Sequence, residues 1–279
     1  MKTANKIALA RVAYRAIHVA RAMVGYSDRC IVQRDGVTFD LDLSQGIDFA
    51  IYLAMFERQT KIALKRLVKP SSVVLDIGAN IGVHTMLLAE LVGPSGRVLS
   101  FEPTDYAVKK SRRNLDLNSR LAERVTLFHC FLAAKDGGDV PESIYSSWPL
   151  TESEGLHNKH LGLAMPTNAA PARSIDGILA EIDGPSVQLV KIDVDGFECE
   201  VLRGATALLR DSRPIFLMEL SPYVLGEHGS SLEELLSFFV PNGYRFFHER
   251  TGHQLPCAAG ELHRLVGDGE SMNVVARVN

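Results

Sequence analysis

The stretch that decides the fold is VVLDIGANIGVHT, residues 73–85. It opens with a short β-branched, apolar run, passes through an acidic residue into a turn with glycines at 78 and 82, and continues into a helical pattern from about Gly82 to Leu91. Apolar runs and helical patterns then alternate along the chain. RVLSF (97–101), RVTLFHC (124–130), VQLVKID (187–193) and PIFLMEL (214–220) read as strands. Thr104–Asn118, Glu198–Leu209 and SLEELLSFFV (231–240) read as helices, and GYRFFH (243–248) and MNVVARV (272–278) as the last strands. This rhythm predicts an α/β fold: a mostly parallel, Rossmann-like seven-stranded sheet with helices on both faces.

Upstream, RCIVQRDGVTFDLDL (29–43) reads as a β-hairpin turning at Asp35-Gly36, and residues 47–68 read as one helix closed by Pro70. Residues 1–70 are therefore expected to form a helical and β-hairpin cap on a catalytic domain of residues 71–279. Residues 134–172 break the rhythm and hold Tyr145 and the sole tryptophan, Trp148, so they read as a lid-like insertion.

The composition is that of a soluble globular chain: 279 residues, 46% hydrophobic and 23% charged. A net charge of −3 argues against a nucleic-acid partner. The four cysteines (30, 130, 199 and 257) have no zinc-site spacing and, with no secretory signal, fit small buried residues in a cytoplasmic protein. Residues 5–24 suggest an amphipathic helix with a basic face. Packing on the main domain or a partner is the preferred reading, and contact with a membrane surface the other. Association of copies is left open.

Ligands of open α/β sheets bind at the carboxyl ends of the strands. The loop Asp76-Ile77-Gly78-Ala79-Asn80-Ile81-Gly82 lies at such an end, and Glu102 closes the next strand, twenty residues beyond Gly82, where a carboxylate can take both ribose hydroxyls. A dinucleotide fingerprint needs glycine at 80 and glycine or alanine at 83; Asn80 and Val83 fail it, and no Walker lysine is present. Asp76 would repel a pyrophosphate and suits a cationic ligand. These features point to S-adenosylmethionine, with Asp76 near its ammonium directly or through water, and Asn80 and Gly82 along its methionine. Pro103 packs at the ribose, and Cys130–Leu132, including Phe131, border the adenine. Asp193, Asp195 and Glu198 follow the fourth strand and Glu219 ends the fifth, all facing the cleft.

Several segments in order resemble the FkbM-type S-adenosylmethionine-dependent methyltransferases: RDGVTFDLDL (34–43), Phe56-Glu57, VVLDIGANIGVHT, FEP (101–103), RSIDGIL (173–179), KIDVDGFE (191–198), VLRG (201–204) and MELSP (218–222). The resemblance implies O-methylation of a hydroxyl on a sugar, glycan or natural-product intermediate. Asp195 stands where family members often carry Glu. Asp193 is the first candidate for general base and Glu219 the second, although Asp193 can instead orient the cofactor. A magnesium ion on Asp193, Asp195 and Glu219 is a further reading, less favoured because nothing else marks a metal site. Glu57 either reaches the methionine end or is a surface helix charge. Tyr145, Trp148, Asp195 and His228 are candidates for holding the acceptor. His84 reads as a packing residue, and His157, His160 and His228 as loop residues able to serve as bases on the acceptor side. N-methylation, or a non-catalytic binding protein retaining the fold, are the alternatives.

Overall fold

The computed structural model describes residues 3–157, 161–168, 170–267 and 269–278, with side chains from residue 7 onward. In chain order it runs α1 (Thr3–Met23), β1 (Arg29–Arg34), β2 (Val37–Asp42), α2 (Gly46–Tyr52), α3 (Arg58–Leu67), β3 (Val73–Ile77), α4 (Val83–Val92), β4 (Arg97–Glu102), α5 (Asp105–Asp116), α6 (Ser119–Ala122) and β5 (Val125–His129). There follow β6 (Phe131–Leu132), β7 (Ser143–Ser147), β8 (Leu163–Pro166), β9 (Ala172–Arg173), α7 (Ile175–Glu181), β10 (Val187–Ile192), α8 (Glu198–Arg203), β11 (Ile215–Leu220), α9 (Pro222–Glu227), α10 (Leu232–Phe239), β12 (Tyr244–His248), α11 (Ala259–Val266) and β13 (Met272–Val278).

The main sheet has seven strands in the order β12-β13-β11-β10-β3-β4-β5. The five from β5 to β11 are parallel, and β13 runs antiparallel between β11 and β12. The seven strands read from the sequence are these seven. Order reverses between β3 and β10, so loops leaving their carboxyl ends diverge and open a crevice there.

Side-chain alternation splits the core in two. Leu75 and Ile77 of β3, Leu99 and Phe101 of β4 and Val190 and Ile192 of β10 face one side, against Ile178, Leu202 and Leu235. Val74, Val98, Leu189 and Leu217 face the other, against Met86 and Leu88 of α4 and Phe39, Leu41 and Phe49 of the amino-terminal elements. The cap thus shares a core with one face of the sheet.

Three local expectations need correction. The single helix over 47–68 is two, α2 and α3, because Ala54 and Glu57 take left-handed φ values of 55° and 38°. The helix expected over 198–209 ends at Arg203, where Gly204 packs so tightly that a Cβ would lie 2.2 Å from the Ala133 carbonyl; a π-helical turn follows at Leu208–Ser212. Residues 134–172 are not irregular throughout. β7 and β8 pair as an antiparallel hairpin, and the segment behind β7 is tied to the cap, with Gly46 N donating to Trp148 O (2.7 Å) and Leu150 N to Ser44 O (2.7 Å).

Phe49 sits at the centre of the cap contact. It is fully buried and meets Tyr14 of α1 edge-on at 6.0 Å. Phe49→Ala is expected to lower unfolding free energy by about 3–5 kcal/mol, read by denaturant titration.

Candidate functional site

The site begins with two residues on one face of the sheet. Asp76 and Lys191 lie directly opposite each other on β3 and β10, and both side chains are buried. Lys191 Nζ is 3.7 Å from Asp76 Oδ1 and 3.4 Å from Asp193 Oδ2, and it donates to the Gly78 carbonyl at 3.2 Å. Burial disfavours its charge, but Asp193, Asp76 and Glu57 outweigh that and raise its pKa above the ordinary lysine value. Thr85 at the start of α4 donates to Asp76 Oδ2 at 2.6 Å. Asp76 thus lies beneath the cleft floor and lines no cavity. Direct contact with a ligand ammonium is corrected: Lys191 is the cation beside it.

The glycine loop is set by backbone bonds and close approach. Gly78 N and Ala79 N donate to the Phe101 carbonyl at 3.1 and 3.0 Å. At Gly78 (φ 75°) an added Cβ would lie 1.8 Å from the Asp193 carbonyl, so no larger residue fits. Asn80 N donates to Glu102 Oε2 at 2.9 Å, which spends an amide that a phosphate would need. Thr104 gives its amide (3.0 Å) and hydroxyl (2.6 Å) to Glu102 Oε1. Burial nonetheless pushes the Glu102 carboxyl above its usual range.

Two cavities flank this loop. The smaller is walled by Phe101, Glu102, Pro103, Cys130, Phe131 and Phe197 and roofed by Ile144, Tyr145 and Ser146, leaving about 60 Å³. The larger, of about 500 Å³, runs from Ala79, Asn80 and Ile81 past Glu57, His84 and Trp148 to Lys191, Asp193, Asp195, Glu219, Glu249 and Asn273. Gly78, Asn80, Asp193 and Asp195 border both.

Acidic groups crowd the larger cavity. Burial, then the Asp193 charge, push the Glu219 carboxyl up to about 7. Burial and the charges of Asp193, Glu219 and Glu198 raise Asp195 well above the carboxylate range. Glu198, buried behind Gly196, is raised to about 7, chiefly by burial. Burial would also raise Glu57, but its bond to His84 Nε2 at 2.7 Å and the nearby Lys191 hold it below its ordinary value.

Glu57, Asn80, Gly78, Ala79, Glu102, Pro103, Phe131, Asp193, Asp195, Glu219 and Trp148 are thus brought to the two cavities. Three assignments change. Gly82 starts α4 behind the loop, close to Ser111, and lines neither cavity. Tyr145 roofs the smaller cavity, packed edge-on to His157 at 4.8 Å, and does not line the larger one. His228 lines neither; its ring lies 4.0 Å from Phe197 over Gly196, and burial lowers its pKa. His160 lies outside the described residues. His84 is buried against Phe56 and is also a cavity wall bonded to Glu57. Among the described residues, no group of three or more His, Cys, Asp or Glu is placed to hold a metal ion.

Sequence reasoning missed Lys191, Glu249 and Asn273. Lys191 had a signal: a lysine inside the apolar run VQLVKID of a central parallel strand must be buried, and a buried ammonium needs carboxylates. Glu249 and Asn273 come together only through the β12–β13 pairing and had none.

Fold and site together define an open α/β sheet with its two cavities at the carboxyl ends of its parallel strands. Residues 76–246, more than half of the chain, match the methyltransferase FkbM domain, and the chain belongs to that family. It is similar to the 2-O-methyltransferase NoeI of Sinorhizobium fredii, 27% identical over 54% of this chain and 64% of that protein, and to methyltransferase 1 of Beauveria bassiana, 25% identical over 48% and 58%. The chain spans less than two thirds of the length of these curated relatives. Among solved structures, the methyltransferase FkbM from Methylobacillus flagellatus KT aligns over 75% of this chain and 44% of its own, at 18% identity and a TM-score of 0.45.

Gly78→Ala is expected to abolish S-adenosylmethionine binding by calorimetry, because the loop must swing away from the Asp193 carbonyl. Glu198 gives a pH test. Its folded-state pKa is raised from the ordinary 4.5 to about 7, so the folded protein binds the extra proton between those values, and stability falls as pH rises through that window. Glu198→Gln is expected to flatten the fall in melting temperature between its two ends.

Proposed function

We propose that the chain transfers a methyl group from S-adenosylmethionine to a hydroxyl of a small-molecule or glycan acceptor. The observation that carries this is the meeting of Asp193 and Glu219, at the ends of β10 and β11, with the Gly78–Ile81 loop around one cavity. The match to a 2-O-methyltransferase supports oxygen as the acceptor atom.

The residues fit the cofactor. Glu102 accepts three hydrogen bonds, which leaves one lone-pair direction of its carboxylate for a ribose hydroxyl. Phe101, Phe131 and Pro103 offer flat apolar walls for an adenine. The present roof of Ile144, Tyr145 and Ser146 has to lift for a nucleoside to take that space. Asn80, Asp193 and Glu57 lie on the side where a charged methionine end belongs. When bound, S-adenosylmethionine supplies an activated methyl carbon.

The chain's own part is alignment and proton removal. Holding the acceptor oxygen in line with the methyl contributes on the order of 7–11 kcal/mol. For the base, Glu219 is favoured over Asp193. Lys191 lies 3.4 Å from one Asp193 oxygen, whereas burial and its neighbours poise Glu219 near neutrality at about 7. Asp193 then orients the cofactor side, and Trp148 offers a flat face to a sugar or ring acceptor.

Glu219→Gln is expected to lower kcat by about 10²–10⁴-fold while the dissociation constant for S-adenosylmethionine is unchanged. A raised carboxylate is a base only once deprotonated, so wild-type kcat/KM should rise with pH through about 7. The variant should lose that limb. A panel of hydroxyl and amine acceptors, assayed for labelled methyl transfer, tests the acceptor atom. Transfer to amines alone would replace the O-methyl reading, and binding of NAD but not S-adenosylmethionine would end it.

A further inference from the structure

Helix α1 has two unlike faces. Ala10, Ala13, Tyr14 and Ile17 pack on the cap core, and the Tyr14 hydroxyl donates to Asp28 Oδ2 at 2.7 Å. On the opposite face Leu9, Val12, Val19 and Met23 are 64%, 67%, 50% and 81% exposed. With exposed Ala16 between them they fall at steps of three and four residues, so they form one continuous apolar stripe. The packing face is satisfied, so this second stripe plays no part in holding the helix to the protein.

Charge decides what the stripe meets. Residues 1–27 carry Lys2, Lys6, Arg11, Arg15 and Arg21 and no Asp or Glu, although the whole chain is net negative. At 3.6 residues per turn, positions 11 and 15 border one edge of the stripe. A second copy laid on this stripe would bring cationic borders together with no acidic side chain on either helix to offset them. A nucleic acid would leave the apolar stripe in water. A surface that accepts apolar side chains beside a basic edge is an anionic lipid interface, where such a helix lies in the plane with its apolar side sunk and its basic edge at the headgroups.

We propose that α1 is a docking helix for an anionic membrane surface, held parallel to it by the Leu9–Met23 stripe and the Arg11 and Arg15 edge. Among the described residues, no helix is long and apolar enough to cross a membrane, so the contact is interfacial. The docked helix stands close to the larger cavity. Arg11 donates to the Pro149 carbonyl at 3.4 Å, one residue from Trp148 in the cavity wall.

The test is cosedimentation of the full chain with vesicles of phosphatidylcholine alone and of phosphatidylcholine mixed with phosphatidylglycerol. Binding is expected on the mixed vesicles, weakening with salt, and little on phosphatidylcholine alone. The Val12→Ser/Val19→Ser double variant and Arg15→Glu should each weaken partition by about tenfold. These side chains are exposed, so circular dichroism and methyl transfer to a soluble acceptor should not change. Failure to bind mixed vesicles at low salt, or binding that both variants leave intact, overturns the proposal. So does light scattering that shows a wild-type dimer dissolved by the double variant, which would make the stripe a self-association seam.

Discussion

The ammonium of Lys191 is the charge around which the centre of this molecule is arranged. It is buried in the middle strand, yet it touches the strand beside it through Asp76, the glycine loop through the Gly78 carbonyl, and the turn after its own strand through Asp193. Each of those groups would be costly alone. Removing one partner from such a pair typically costs about 3–5 kcal/mol because an uncompensated charge is left behind. One cation therefore fixes two loops that leave different strands, and keeps the crevice at the order reversal in one geometry. Thr85 and Ser100 extend the arrangement, with the Thr85 hydroxyl bonded to Asp76 and 3.1 Å from Ser100 Oγ, so α4 is locked to the same floor.

Backbone strain gathers around this floor. Glu57, Asn80 and Asp195 are non-glycine residues with φ of 38°, 49° and 47°, and all three line the larger cavity. Such conformations cost of order 1–3 kcal/mol each. They persist because the side chains are otherwise held: Glu57 by His84, and Asn80 by its own Oδ1 accepting from Ile81 N at 2.8 Å. The strained turns re-aim short polar side chains into the cleft, which regular helix or strand would have carried past it.

The sheet was readable because its strands are short apolar runs separated by helical periodicity, and a parallel sheet covered on both faces leaves no other pattern. The glycine loop and Glu102 were readable because their chemistry is local to two consecutive strand ends. What was not readable depends on distance. Splitting of the helix over 47–68 is decided by left-handed residues at Ala54 and Glu57, which carry no glycine to announce them. The β7–β8 hairpin lies in a stretch without clean alternation and is stitched to Ser44 and Gly46, a hundred residues away in sequence. The displacement of Asp76 from ligand contact followed from Lys191, whose position opposite Asp76 is a matter of strand register. His228 read as a loop residue on the acceptor side, but α9 carries it over Gly196 to the outside.

Electrostatics also limit which molecules can enter the larger cavity. Glu57, Asp193, Asp195, Glu219 and Glu249 line it, against a single buried lysine that is already engaged. Charges of one sign along one cleft act over short distances at an effective dielectric below that of water. An acceptor bearing phosphate or carboxylate would add repulsion to the cost of losing its hydration. A neutral polyol meets acceptors for its hydroxyl protons instead, and a cationic group meets attraction. The surplus also sustains the raised Glu219 pKa, because each neighbouring carboxylate makes its ionised form less favourable.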